Sequence, residues 1–301
     1  MEVIKLLSFY QVVKTGSFSR ASENVFRSQS SVSYQIKRLE EEFNVKLFER
    51  FGKKVKLTEV GGMLFEIISK FLNDIENLEK LCADMQSGTS GTLTLAVSRN
   101  VMTYWFTKII RSFTARFPAI KFKLYTQSST SIMQDMVLNG KVDFGIGSRD
   151  QLISNKMDFI PWKSFDRVLI ASRNHPICKK KKITLTDIAK YPLILTRFGG
   201  TTKIVEEAFV QNNLSYEIVM EMDTSEFIKH FLEDGTCLSI YSSIALTEED
   251  KQRLAVMNVS HLLGSVDYGI YYRQDKYISK VMDQFVNFIA PEITHQLSSH
   301  N

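Results

Sequence analysis

Residues 28–50 read SQSSVSYQIKRLEEEFNVKLFER. Val32, Ile36, Leu39 and Phe43 are spaced four, three and four apart, which is one face of an α-helix. Ser28 precedes the first turn and suits an N-cap. At about 100° per residue, Ser30, Ser33, Tyr34 and Lys37 fall on the opposite side, with Gln29 at the tip. Upstream, Ser17 can cap a shorter helix whose Phe18, Ala21 and Val25 point inward, and Leu6, Phe9 and Val13 repeat the pattern before it. Downstream, KLFERFGKKVKLT (46–58) alternates around Gly52 and reads as a two-stranded ribbon tipped by Arg50, Lys53 and Lys54. Three short amphipathic helices and a ribbon make a winged helix-turn-helix over residues 1–58.

The charge of the chain supports a distinct task for that module. Residues 1–58 hold eleven Lys/Arg against six Asp/Glu, while the rest of the 301 residues hold 27 of each, so the whole net charge of +5 sits in the first fifth. A basic module joined to a neutral body points to a polyanionic partner. In a helix-turn-helix the last helix enters the major groove. There Gln29 can pair bidentately with adenine and Ser30 or Ser33 with most bases. The positive helix end behind Ser28 favours a phosphate, as does the short helix start at Ser17. Tyr34 and Lys37 extend the same face, and the wing can follow the backbone or minor groove. The plain alternative is a solvated polar helix face beside a charged hairpin.

From Thr58 a new period begins. Leu64, Ile68, Phe71, Ile75, Leu78, Cys82 and Met85 form a heptad seam, so residues 59–87 read as one long linker helix, with Leu64, Ile68, Phe71, Ile75 and Leu78 as the dimerising positions. A dimer doubles the contacted DNA and matches a two-fold, interrupted palindromic operator. The alternative is a helix packed only on its own domain. Ser87-Gly88-Thr89-Ser90-Gly91 reads as a hinge.

Residues 88–301 alternate strand and helix signals. TLTLAV, a helix over 101–117, IKFKLYT, a short helix near 131–139 and VDFGIG give a βαβαβ order, which implies a parallel sheet with helices on both faces. The pattern restarts after residue 162, and a last strand, YGIYYR, with a helix at 276–290 closes the chain. Two α/β lobes result, lobe I at about 92–161 and 266–301 and lobe II at about 162–265. Ligands of open α/β sheets sit beyond the strand carboxyl ends, at helix N-termini. Those ends carry Ser98, Arg99 and Asn100, then Ser128, Ser129 and Thr130, then Thr196, Arg197, Gly200, Thr201 and Thr202. Hydroxyls, free N–H groups and two arginines suit a small anion; taken singly, each hydroxyl reads equally as a helix cap.

The N-terminal segment resembles the DNA-binding domain of the LysR-type transcriptional regulators. The matching residues are Phe9, Gly16-Ser17-Phe18-Ser19, Ala21, Ser28-Gln29, Val32-Ser33, Gln35-Ile36, Leu39-Glu40, Leu47-Phe48, Arg50, Leu57-Thr58 and Gly61. Ser22, Arg27, Ser30 and Asn44 depart from the usual pattern, and Tyr34 stands where arginine is frequent. Ala115-Arg116-Phe117-Pro118, Leu138-Asn139-Gly140, Asp143-Phe144-Gly145-Ile146, His175-Pro176 and Leu185-Thr186-Asp187-Ile188-Ala189 are similar to the family's periplasmic-binding-protein-like effector domain. The resemblance implies a homodimer through the linker helix, usually assembled into a homotetramer as a dimer of dimers. It also implies regulation of transcription, with RNA polymerase as a further partner, and a small-molecule effector between the lobes.

Other classes find little support. No HExxH, GxSxG or P-loop occurs, so no catalytic residue is assigned and an enzyme is not expected. His175, His230, His261, His295 and His300 lack ligand spacing, and Cys82, Cys178 and Cys237 match no metal or redox pattern, so no metal or resident cofactor is expected. The run Lys179–Lys182 reads as a solvated loop. No stretch of about 18 apolar residues exists and the N-terminus lacks a signal-peptide pattern, so a cytoplasmic protein off the membrane is expected. Two functional alternatives stay open: a DNA-binding regulator without an effector, and a standalone small-molecule binder.

Overall fold

The computed structural model describes residues 2–51, 54–87, 90–149, 154–197 and 200–290, with the backbone alone described at 50, 51, 54, 76, 80 and 83–87. The chain divides into two compact units, Met1–Ala83 and Asp84–Asn301.

In the first unit, α1 (Val3–Thr15) stops at Gly16, whose φ of 63° suits a residue without a Cβ. α2 (Phe18–Asn24) and α3 (Gln29–Phe43) begin at the expected serines: Ser17 Oγ accepts from the Arg20 N–H at 3.4 Å and Ser28 Oγ from the Ser31 N–H at 3.2 Å. Asn44, at φ 52°, ends α3 in the left-handed region. Leu6, Phe9, Val12, Ala21, Val25, Val32, Ile36, Leu39 and Leu47 form the core. Two expectations shift. Val12 reaches the centre where Val13 was expected, and Phe43 is exposed. The last turn of α3 outruns the core, and Leu47, returning after the reversal at Asn44, is the fully buried side chain there. The wing forms as read, β1 (Phe48–Phe51) pairing antiparallel with β2 (Lys54–Leu57). Lys53 lies outside the described residues, as do the side chains of Arg50 and Lys54.

The long α4 (Glu59–Ser87) starts at Thr58, whose Oγ1 accepts from the Gly61 N–H at 2.9 Å. The expected seam splits in two. Ile68 is buried in the three-helix core, with Leu64, Phe65 and Leu72 packed against it. Ile75 is half-buried, Cys82 is exposed, and of the five dimerising positions only Phe71 and Leu78 are exposed, at 42% and 58%. These two join Val60, Met63, Ile67 and Leu81 in an exposed apolar row, rotated by about a third of a turn from the buried face. The reason is that one helix serves two neighbours, and a heptad pattern alone does not say which stripe is already covered.

In the second unit, a five-stranded sheet has the order β4-β3-β5-β12-β6. Here β3 (Gly91–Ser98), β4 (Ile120–Gln127) and β5 (Phe144–Ser148) are parallel, while β12 (Val266–Arg273) runs antiparallel to β5 and to β6 (Met157–Phe165). The all-parallel expectation therefore holds for three strands and fails for two, because β12 arrives from lobe II without a crossover helix. β6, spaced by polar residues, escaped the sequence reading; it keeps residues 162–165 with lobe I and moves the switch between lobes to Asp166.

The first crossover helix is α5 (Arg99–Val101), which continues through a π-type turn (Met102–Phe106) into α6 (Thr107–Arg116). The wide turn brings Val101 and Phe106, five apart, onto the core side together with Phe113. α7 (Thr130–Leu138) covers the other face, and α13 (Lys280–Ile289) packs Val281, Met282, Phe285 and Val286 beside Phe106 and Phe113.

Lobe II holds an antiparallel sheet of order β10-β7-β11, made of β7 (Arg167–Ser172), β10 (Ser239–Ser242) and β11 (Leu254–Asn258). A parallel pair, β8 (Leu193–Thr196) and β9 (Ile218–Met222), joins it through the Leu193–Leu238 bridge. The helices α8 (Leu185–Ile188), α9 (Gly200–Gln211), α10 (Ser225–Phe231), α11 (Glu248–Arg253) and α12 (Ser260–Leu263) flank these strands. Among the described residues no helix is long and apolar enough to cross a membrane.

The chain crosses between lobes at Asp166 and again near Ser265. Both crossings meet at Arg167, which is buried and whose Nη1 donates to the carbonyls of Leu263 at 2.5 Å and of Gly264 and Ser265 at 3.1 Å each.

Of the lysine run, Lys180 is tied to lobe II: its Nζ lies 2.8 Å from Asp187 Oδ1. The hydrogen bond from Lys180, followed by that from Thr184, holds the Asp187 carboxyl down at about 2, against an ordinary 3.8. A lowered folded-state value means stability that is present above pH ~4 and is lost as the pH falls toward about 2. Asp187→Asn removes that part of the acid sensitivity. Melting temperatures measured from neutral pH down to about pH 2 will fall less steeply in the variant than in the wild type.

Candidate functional site

The outward side of α3 carries Gln29, Ser30, Ser33, Tyr34 and Lys37, all exposed. Behind them Val32 and Leu39 are fully buried, so the polar row cannot turn inward. Ser28 Oγ lies 2.9 Å from Ser30 Oγ while also capping the helix. Ser17 performs the same task for α2, and its backbone is held by Thr15, whose Oγ1 donates to the Ser17 carbonyl at 2.9 Å. The orientation of α3 is fixed from behind: Ser8 Oγ donates to Gln35 Oε1, and the Leu47 N–H donates to Glu40 Oε1 at 2.9 Å. The result is a rigid helix presenting an amide, hydroxyls, a phenol and an ammonium group.

The second site lies between the lobes of the second unit, in a cleft with a cavity of about 70 Å³. At about 10–15 Å³ for one water, that is space for roughly five to seven waters, or one small ligand. Ser98, Arg99 and Asn100 line it from the end of β3 and the start of α5, Ser128 and Thr130 from the end of β4 and the start of α7, and Thr196, Gly200 and Thr201 from β8 and α9. Eight of the eleven expected residues thus meet there. The other three lie off the lining. Ser129 Oγ caps α7 by accepting from the Ile132 N–H. Arg197 is exposed, and its backbone N–H donates to the Met222 carbonyl at 2.9 Å. Thr202 is buried, its Oγ1 donating to the Thr196 carbonyl at 2.6 Å. For Ser129 and Thr202 a local hydrogen bond had first claim on the hydroxyl.

Sequence reasoning missed Ser148, Asp223, Ser225, Tyr241, Ser242, Val266 and Tyr268, which complete the lining. Ser148 and Ser242 end strands β5 and β10, and Asp223 follows β9, so the rule that found Ser98 also covers them. Tyr268 had no such signal. It reaches the cleft because antiparallel β12 places it opposite Ser148.

Three lining hydroxyls are buried without a hydrogen-bond partner among the described residues: Ser98 Oγ, Tyr241 Oη and Ser242 Oγ. Tyr241 and Ser242 are only 3% and 4% exposed. Burial pushes the Tyr241 phenol well above its usual range, so it stays neutral and able to donate. Arg99 Nε donates to Ser128 Oγ at 3.0 Å, which brings the one lining guanidinium to the start of α7. The lining thus offers donors and helix N-termini, with one carboxylate, that of exposed Asp223, at its edge.

The cleft's far wall is braced across the lobes. Tyr104, from the π-type turn of lobe I, packs against the lobe II core, and its Oη lies 3.3 Å from Ser225 Oγ and donates to Glu226 Oε1. Lys229 Nζ stands 2.7 Å from Tyr104 Oη and 2.7 Å from Asp250 Oδ2. Burial works to raise the Asp250 carboxyl, but hydrogen bonds from Lys229 and Thr247 outweigh it and hold the group below its ordinary value.

With this geometry in hand, known proteins give a consistent picture. Residues 5–62 match the family model described as bacterial regulatory helix-turn-helix protein, lysR family, and residues 86–293 match the LysR substrate binding domain. The transcriptional activator CmpR of Synechocystis is 31% identical, over 93% of this chain and 92% of its own. The transcriptional regulator CysB of Burkholderia cenocepacia is 28% identical, over 93% of this chain and 90% of its own. Full-length OxyR from Pseudomonas aeruginosa shares the fold, with a TM-score of 0.73 at 19% identity over 96% of this chain and 94% of that one.

A buried hydroxyl without a partner carries an uncompensated desolvation cost of ~1–3 kcal/mol. Tyr241→Phe will therefore raise the stability of the ligand-free protein by about 1 kcal/mol, read as a higher midpoint in urea unfolding, although it removes a polar atom from the cleft.

Proposed function

The chain belongs to the LysR family of DNA-binding transcriptional regulators, and from that premise we propose which of its residues read DNA and what its effector domain binds. Gln29 and Ser33 make the base contacts, Tyr34 shifts the base preference at its position, and Ser17, Ser28, Ser30 and Lys37 engage phosphates and neighbouring edges. Arg50, Lys53 and Lys54 of the wing follow the backbone. The exposed polar row of α3, locked in place by a fully buried apolar stripe, supports this reading. The exposed row of Val60, Met63, Ile67, Phe71, Leu78 and Leu81 on α4 supports a homodimer, with Phe71 and Leu78 kept from the expected seam and Leu64 and Ile68 serving the monomer's core. Two-fold pairing matches an interrupted palindromic operator, and a dimer of dimers spans a longer one. The protein works in the cytoplasm, where it meets RNA polymerase at the promoter, and it has no catalytic role.

The effector is a small anion, a carboxylate or an oxyanion of phosphorus or sulfur, held between the lobes. The observation that carries this is the set of three buried, partnerless hydroxyls, Ser98, Tyr241 and Ser242, converging with Arg99 and the N-termini of α7 and α9 on one small cavity. Ligand binding repays the cost of leaving these donors unsatisfied, and it draws on both lobes at once, so occupancy changes how the lobes are held.

Thermal-shift measurements with inorganic sulfate, inorganic phosphate and short carboxylates test the cleft. A ligand present at 100 times its Kd adds about 2.7 kcal/mol to stability. The expected result is a raised melting temperature with at least one of these anions and none in the Ser98→Ala/Ser242→Ala double variant. No shift with any of them, or an equal shift in the double variant, overturns the assignment.

For the groove, Gln29→Ala should cost roughly 1–3 kcal/mol on a duplex selected by the wild-type protein and little on random duplex. Lys37→Ala should weaken both alike and reduce the salt slope by about one. Unchanged sequence preference in Gln29→Ala removes α3 from the groove.

A further inference from the structure

Phe26 sits in the turn between α2 and α3 and is 94% exposed. Its backbone has φ 53°, in the left-handed region. Among the described residues the other non-glycine positions with positive φ are Asn44 and Asn213, the residue type best suited to that conformation. For a bulky side chain the conformation is a genuine outlier, and such strain persists only where neighbouring bonds impose it. They do so here: the Val25 N–H donates to the Ala21 carbonyl at 3.1 Å, the Phe26 N–H to Glu23 at 3.2 Å and the Arg27 N–H to Ser22 at 3.0 Å. The turn thus places an aromatic ring in water at a position where asparagine or glycine would fit better.

We infer that Phe26 is a DNA-specificity residue whose ring packs against a thymine methyl group at the edge of the base pairs read by α3. The inference rests on groove reading by that helix. Phe26 stands two residues before the cap Ser28 and three before Gln29, so its Cα lies within about 7 Å of Ser28, at a reach of 3.3–3.6 Å per residue. A ring at that distance is within reach of what the helix tip touches. Its sequence neighbours Glu23, Asn24, Arg27, Ser28 and Gln29 are polar and exposed, so the apolar surface is a single ring. One ring is far too little for a protein interface, but it is the right size for a thymine methyl, which apolar side chains contact in the major groove. The surplus positive charge of this module supplies the rest of the attraction.

The test compares wild type, Phe26→Asn and Phe26→Tyr on a duplex selected by the wild-type protein from a randomised library, and on random duplex. Asparagine relaxes the turn, so Phe26→Asn should melt at or above the wild-type temperature, which separates binding from folding. The expected result is a loss of at least tenfold on the selected duplex, little change on random duplex, and retention in Phe26→Tyr, which keeps the ring. Replacing thymines one at a time by deoxyuridine should reveal a position where wild type loses about fourfold, the factor for ~0.8 kcal/mol from one buried methyl. Phe26→Asn should not register that replacement. The inference is overturned if Phe26→Asn keeps wild-type affinity, if it loses affinity equally on both duplexes, or if no thymine methyl matters to wild type. An intact effect of Gln29→Ala beside any of these results leaves groove reading by α3 standing and removes Phe26 alone.

Discussion

One buried guanidinium holds the effector unit in two lobes. Arg167 begins β7 immediately after the first crossing and binds three successive carbonyls at the second. Carbonyls in a chain crossing have no sheet partner and would otherwise be buried unsatisfied. A charged donor with a fixed fork answers several of them at once and ties the outgoing strand to the returning one. The cleft between the lobes is the space this junction leaves. A second brace, Tyr104 with Lys229 and Asp250, links helix and lobe on the other side of the lining.

The cleft walls follow from that arrangement. Several strands end at the cleft, and β3, β4 and β8 are each followed by a serine or arginine shortly before a helix start. Most such hydroxyls cap their own helices or bond a neighbouring carbonyl, as Ser129 and Thr202 do. Ser98, Tyr241 and Ser242 do not, and in a folded protein that is the exception. Their unsatisfied state is what supports the proposal of a ligand in this cleft. The same logic applies in the first unit: Ser17 and Ser28 are caps first, while Gln29 and Ser33, on the same helix face, remain free to meet a partner.

Several features were legible because they depend on neighbours in the chain. The helices of the winged module, their capping serines, the wing and the length of α4 all follow from local periodicity and turn chemistry. Eight cleft residues were legible too, since a strand end followed by a helix start is a local signal. β6 was not, because its nine residues are interrupted by Pro161 and Lys163 and owe their strand state to pairing with β12. β11 was lost for the same reason, since it is held by β7. The seam of α4 misled because Leu64 and Ile68 belong to the same alternating four-three repeat as Phe71 and Leu78, and only packing separates those that a domain core has already covered.

The sequence by itself determined that a basic three-helix module precedes a neutral two-lobed α/β body, that a long helix joins them, and which polar residues end strands and begin helices. These are properties of nearest neighbours, periodicity and charge count. Tertiary structure decided which hydroxyls stay without partners, which stripe of α4 faces outward, where the chain changes lobes, and that Tyr268 reaches the cleft. Each of those outcomes depends on contacts between residues far apart in the chain, and such contacts leave no trace in local spacing.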